Sequence, residues 1–213
     1  RGLVGSEMCI RDREKFVDKY AAANCEIIYK LLMRMGVNFT KQIVDCLYTG
    51  ISTDTGCFRY TNTTADTFRI AASLVELGCN SAYINKVMFE TKSKEKIMLE
   101  REVYDTITYC ADGKCAIVWV TLDMLKSLNI GEDEIEGLAS IPRQIEGVLI
   151  GITMKEKEGG FFKISVRTNG NIDAAKFCSR FGGGGHKAAA GCSVNGSLED
   201  VRSQLIKAAE ETL

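Results

Sequence analysis

The stretch RFGGGGHKAAAGC, residues 180–192, sets four consecutive glycines against the only histidine in the chain, His186. Glycine has no Cβ and enters positive φ freely, so such a run can turn its N–H groups around an anion or lie flat against a ligand. A flexible linker would use the same residues. Two features weigh against the linker. The run falls between a helix-like and a strand-like segment, and KAAAG follows it with side chains small enough for close backbone packing. On residue chemistry alone, a phosphate-contacting loop and a tight packing turn stand level. Charge shifts that balance: from Arg143 to Gly191 there are eight basic residues against four acidic ones, in a chain whose net charge is −1. Arg167 stands out among them. It ends the polar side of the alternating segment FFKISVRT, and a guanidinium grips phosphate oxygens through paired hydrogen bonds. The plainer reading of an isolated arginine is a solvated strand.

A second group is GISTDTGCFRY, residues 50–60, in which Asp54 lies between Thr53 and Thr55 just before Gly56. A carboxylate so placed binds a hard cation or caps a turn, and capping is the commoner use. Composition excludes other chemistry. Nine cysteines without CxxC spacing and a single histidine cannot build a zinc-finger site. Scattered thiols in odd number fit a reducing compartment, and a cytoplasmic location is expected. No run of about 18 apolar residues is available to span a bilayer. With the net charge near zero, a polyanion site has to be local.

The elements that must position these residues are readable from periodicity. AAANCEIIYKLLMRMG places Ile27, Ile28, Leu31, Leu32 and Met35 on one helical stripe, with Gly36 as its stop. Thr40 is a natural cap for a second helix that turns Ile43, Val44, Leu47 and Tyr48 inward. Further helices are expected over Thr64 to Leu77, over Ser81 to Glu90, and from Ser93 through ITY. After Gly113 the pattern changes to strands: CAIVWVTL, GVLIGITMKE and FFKISVRT are short, β-branched and bounded by glycine or charge. A short helix capped by Asp173, a strand at GCSV and a final helix capped by Ser197, with Val201, Leu205, Ile206 and Ala209 inward, complete the chain. The opening RGLVGSEMCIRDR has no periodic pattern and resembles translated cloning sequence, so residues 1–13 are set apart as a non-native or disordered segment.

Two segments taken together resemble one family. GISTDTGCFRYTNTT is similar to the fourth motif of DHH-family phosphoesterases, and FGGGGHKAAAGC to the GGGH signature of the DHH-associated domain that follows it. DKYAAANCEIIYKLL, IEGLASIPRQIEGV and ISVRTNGNIDAAKFCSRF extend the resemblance, most nearly to the NrnA group of bifunctional oligoribonucleases and 3′-phosphoadenosine-5′-phosphate phosphatases. The fold this implies is α/β. Residues 14–92 would be the remnant of a DHH parallel-sheet domain, mostly helical here; 93–112 a bridging helix; 113–213 a smaller mixed-sheet DHH-associated domain.

The resemblance makes Asp54 a catalytic ligand of a two-metal Mn²⁺ site. It makes Arg167, Gly183, Gly184, Gly185 and His186 the holders of phosphate and nucleotide in short RNA or nucleotide phosphates. The family draws most metal ligands from earlier motifs, among them the DHH triplet, and none of these stands in this sequence. The expectation is the C-terminal part of a hydrolase, inactive by itself, with apolar surface bared on helices 21–35 and 41–49. The alternatives are a nucleotide-binding module without catalysis and a relative of the cyclic-dinucleotide phosphodiesterases. A homodimer is compatible with all three.

Overall fold

A computed structural model describes residues 17–131, 135 and 137–213. The segment set apart as residues 1–13 lies outside them. The chain divides into two compact units, Arg1–Thr91 and Lys92–Leu213.

The described part of the first unit is helical: α1 (Asn24–Arg34), α2 (Lys41–Asp54), α3 (Ala65–Glu76) and α4 (Ser81–Asn85), which runs on as a π turn over Lys86–Glu90. Side-chain caps start three of these helices by accepting an otherwise orphaned backbone N–H. Thr40 accepts from Ile43, Asn80 from Tyr83, and Thr64 forms a reciprocal capping box with Thr67. Val44, Leu47, Tyr48 and Ile51 of α2 meet Ile70 and Leu74 of α3 in one apolar cluster. Each such side chain contributes about 1.5–3 kcal/mol by leaving water.

Helix α1 departs from the expected phase. Ile28, Leu31 and Met35 are exposed, and the inward side carries Glu26, with only 1% of its surface accessible. The reason is a polar anchor: Glu26 Oε1 accepts from the Thr67 hydroxyl at 2.6 Å, and Oε2 from the Ala22 N–H at 3.3 Å. Satisfying that carboxylate fixes the rotation of the helix and turns aliphatic residues outward. The expected bared apolar surface is therefore present on α1. On α2 it is absent, because Val44, Leu47 and Tyr48 are buried.

The second unit opens with α5 (Lys94–Asp105), capped by Ser93, whose Leu99 and Val103 are fully buried in that unit's own core. The sheet has six strands in the order β1-β2-β3-β4-β6-β5: β1 (Thr108–Cys110), β2 (Cys115–Val120), β3 (Ile150–Lys157), β4 (Phe161–Thr168), β5 (Gly184–His186) and β6 (Ala189–Asn195). It is mixed, since β2 and β3 are parallel and the other pairs antiparallel. Among its described residues this unit also has the α-helices α6 (Leu122–Ser127), α7 (Ala174–Ser179) and α8 (Leu198–Glu210), with short 3-10 turns at Leu138–Ser140 and Pro142–Gln144.

Elements of this unit also differ from the sequence reading. The fifth helix stops at Asp105, because the Thr106 hydroxyl donates to Val103 O and accepts from Trp119 N–H, so that Thr108–Cys110 becomes a strand. The strand expected to reach Leu122 ends at Val120, where Thr121 caps α6. Strand β5 arises within the glycine run, which carries no alternation to announce it.

The two faces of the sheet are unlike. One packs Ile117, Ile152, Ile164 and Val166 against Phe177 of α7 and Val201 and Leu205 of α8. On the other face, Val118 and Val120 are covered by Leu99, Leu125, Leu138 and Ile141. Beyond β3 this second face becomes polar, and Gly184 and His186 of β5 belong to it.

Candidate functional site

Strand register places Arg167 and His186 in one row. Ala189 of β6 pairs with Arg167 of β4 on one side and with His186 of β5 on the other. Directly paired residues point to the same face, so the arginine and the imidazole flank a single methyl group. The next row on that face is Ser165, Gly191 and Gly184, a floor almost without side chains. Arg167 is half-buried and donates to Val166 O at 3.1 Å; His186 is exposed. Anchors follow at once in the chain. The Thr168 hydroxyl reaches Lys187 O at 3.1 Å, and the Ala174 N–H at the start of α7 donates to the same oxygen at 2.8 Å.

The four glycines divide by cause. Gly182 adopts φ +69° and ends α7: its N–H donates to Ser179 O and that of Gly183 to Cys178 O, the bonding of a left-handed helix stop. Gly183 lies so close to β6 that a Cβ would sit 2.7 Å from Cys192 Cα, and at Gly185 a Cβ would meet Ala190 Cα at 2.6 Å. Gly184 differs: a Cβ there would have nothing within 4 Å. The protein itself does not require glycine at that position. The added atom would project over the bare floor of Ser165, Gly191 and Gly184, one row along from Arg167 and His186.

Asp54 belongs to the first unit, as the exposed last residue of α2. No basic residue occupies the last turn of that helix. A carboxylate at the negative end of a helix dipole is unfavourable by about 0.3–1 kcal/mol unless a cation answers it. The turn after it is strained. Gly56, Cys57 and Phe58 all have left-handed φ, at 57°, 58° and 63°, a conformation costly for a bulky residue such as Phe58. Bonds hold it there: Arg59 Nε donates to Gly56 O at 2.7 Å, Cys57 N–H to Ser52 O at 2.7 Å, and Phe58 N–H to the Thr55 hydroxyl at 3.1 Å.

Among the described residues, no group of three or more His, Cys, Asp or Glu side chains could hold a metal ion. The donor set for two Mn²⁺ ions is not supplied by these residues. Nor, among them, is any helix long and apolar enough to cross a membrane.

Residues 112–213 match the model of the DHHA1 domain, which the second unit carries. The chain as a whole is similar to proteins named NrnA. It is 30% identical over 199 residues to the bifunctional oligoribonuclease and PAP phosphatase NrnA of Thermus thermophilus, covering 92% of this chain and 59% of that protein. To the protein of the same name from Bacillus subtilis it is 25% identical over 182 residues, covering 84% of this chain and 57% of that one. The chain thus spans less than two thirds of these relatives. In structure it resembles an exopolyphosphatase-related protein from Bacteroides fragilis, with a TM-score of 0.84 at 25% identity, over 93% of this chain and 60% of that one.

Proposed function

We propose that the second unit grips the phosphates of a short oligoribonucleotide or of 3′-phosphoadenosine-5′-phosphate, on behalf of a phosphoesterase of the NrnA group. The observation that carries this reading is the open space above Gly184, a glycine with no internal cause, one row along the sheet from a guanidinium and an imidazole that share a row. Arg167 supplies a fixed positive fork and His186 a ring N–H, while the glycine floor lets phosphate or ribose approach the backbone closely. The names of the NrnA relatives support the substrate class.

In this reading Asp54 contributes one ligand to a two-metal Mn²⁺ centre, which supplies the hydrolytic chemistry when complete. The absence of a wider donor set among the described residues favours binding without turnover for this chain by itself. Titration of the chain with 3′-phosphoadenosine-5′-phosphate tests the grip. Arg167→Ala and His186→Ala should each weaken binding about tenfold, the effect of losing one charge-assisted hydrogen bond. Equal affinity in all three proteins would refute it. Manganese-dependent release of nucleotides by the chain would overturn the expectation that it binds without hydrolysing.

A further inference from the structure

Cys110 and Cys115 have no CxxC spacing, and the fold pairs them nonetheless. Cys110 ends β1 and Cys115 begins β2, and the two stand directly opposed across the antiparallel ladder. Directly opposed residues point to the same face, so both thiols lean toward the core that also holds Ile117. A tight turn joins them, in which the Lys114 N–H donates to Ala111 O at 3.0 Å. Lys114 O accepts from the Leu149 and Ile150 N–H groups on the β3 side, so the backbone groups of Cys115 face β1. The cysteines are thus a hydrogen-bonded pair of the ladder, with Cα atoms about 5.5 Å apart. A disulfide spans about 4.4–6.8 Å between Cα atoms, so one can form here without any change of register.

The two sulfurs differ in access. Cys110 is half-buried and Cys115 wholly buried. A hydrogen bond with the Cys115 thiol draws Cys110 below the ordinary thiol pKa, while the same bond and burial push Cys115 up. A thiol reacts as its thiolate, and the first attack therefore falls to Cys110. Cys178 and Cys192 are also hydrogen-bonded to each other, but both are buried, and neither offers an oxidant comparable access.

We infer that Cys110 and Cys115 form a reversible oxidation site for hydrogen peroxide, in which Cys110 reacts first and Cys115 resolves it to a disulfide. The Cys110 thiolate attacks one peroxide oxygen; the O–O bond breaks, hydroxide leaves, and the sulfur is oxidised to a sulfenic acid. The Cys115 sulfur then forms the S–S bond as the S–O bond breaks, and its proton leaves with the hydroxyl as water. Two thiols and one peroxide become one disulfide and two waters. Opposed Cβ atoms in a ladder stand about 4.5–5.5 Å apart, against about 3.5–4.5 Å in a disulfide, so the hairpin must tighten to hold the bond. A strained disulfide is more readily reduced, which suits a transient modification rather than a permanent staple. The site is independent of the phosphate grip, because β1 and β5 are opposite edges of the sheet.

Peptide mapping tests this on the full chain, treated with a small excess of hydrogen peroxide and then with N-ethylmaleimide in urea to block every remaining thiol. Trypsin cuts after Arg101, Lys114 and Lys126, which places the two cysteines in separate peptides, 102–114 and 115–126. The two should appear as one linked species, lighter than their sum by two hydrogen atoms, and should part on treatment with dithiothreitol. Cys115→Ala should abolish the linked species and leave a sulfenic acid on Cys110 that dimedone captures. Cys110→Ser should leave Cys115 as a thiol, recovered with N-ethylmaleimide attached. Recovery of the two peptides only separately from the peroxide-treated unaltered chain would overturn the inference, and that measurement depends on no variant. Linkage of Cys110 to another cysteine in place of Cys115, or capture of Cys115 by dimedone in Cys110→Ser, would overturn it equally.

Discussion

Gly182, Gly183, Gly184 and Gly185 look alike in the sequence and differ in what each one answers to. Gly182 answers to a left-handed helix stop, Gly183 and Gly185 to the nearness of β6, and Gly184 to nothing inside the protein. Gly183→Ala and Gly185→Ala should therefore lower the free energy of unfolding in urea by about 1–3 kcal/mol, the usual cost of forcing an atom into packed backbone. Gly184→Ala should stay within about 0.5 kcal/mol of the original stability. It should nonetheless weaken 3′-phosphoadenosine-5′-phosphate binding. An alanine at 184 that binds as well as glycine would show that the ligand does not use this floor. A sequence could not make this division. The four identical letters acquire different roles only from the register of β5 against β6, and that pairing leaves no trace of alternation in a glycine run.

At the scale of elements, the caps were the most legible feature. Thr40, Thr64, Ser93, Asp173 and Ser197 each start the helix expected of them. The alternation of FFKISVRT likewise places Phe162, Ile164 and Val166 in the core and leaves Arg167 on the site face. Less legible was the rotation of α1. A count of apolar residues favours the side with Ile28, Leu31 and Met35, whereas one buried carboxylate and its hydrogen bond to Thr67 decide the orientation. Periodicity scores Glu26 as a surface residue and cannot see a partner on another helix. Thr67→Val removes the donor to Glu26 Oε1 with little change of shape. It should destabilise the chain by about 1–3 kcal/mol, the cost of a buried polar group left without its partner. Ser73→Ala on the exposed side of α3 is the control and should stay within about 0.5 kcal/mol. Urea denaturation followed by circular dichroism reads both, and equal effects would remove Glu26 as the anchor of α1.

For the whole molecule, the two units carry separate cores, and each candidate residue sits wholly within one of them. Residues 92–213 expressed alone should unfold in one cooperative transition and bind 3′-phosphoadenosine-5′-phosphate within about twofold of the full chain, a difference of about 0.4 kcal/mol. A larger loss in titration would mean that the first unit contributes contacts to the grip. The strand order has a further consequence. The outermost strands of the sheet are β1 and β5, and each has only three residues. A long, flat outer strand invites other chains to add themselves to the sheet, and shortness is one of the ways proteins prevent this. Gly184–His186 therefore serves two ends: the strand that leaves a ligand its bare floor is also too brief and too poor in side chains to template an aggregate.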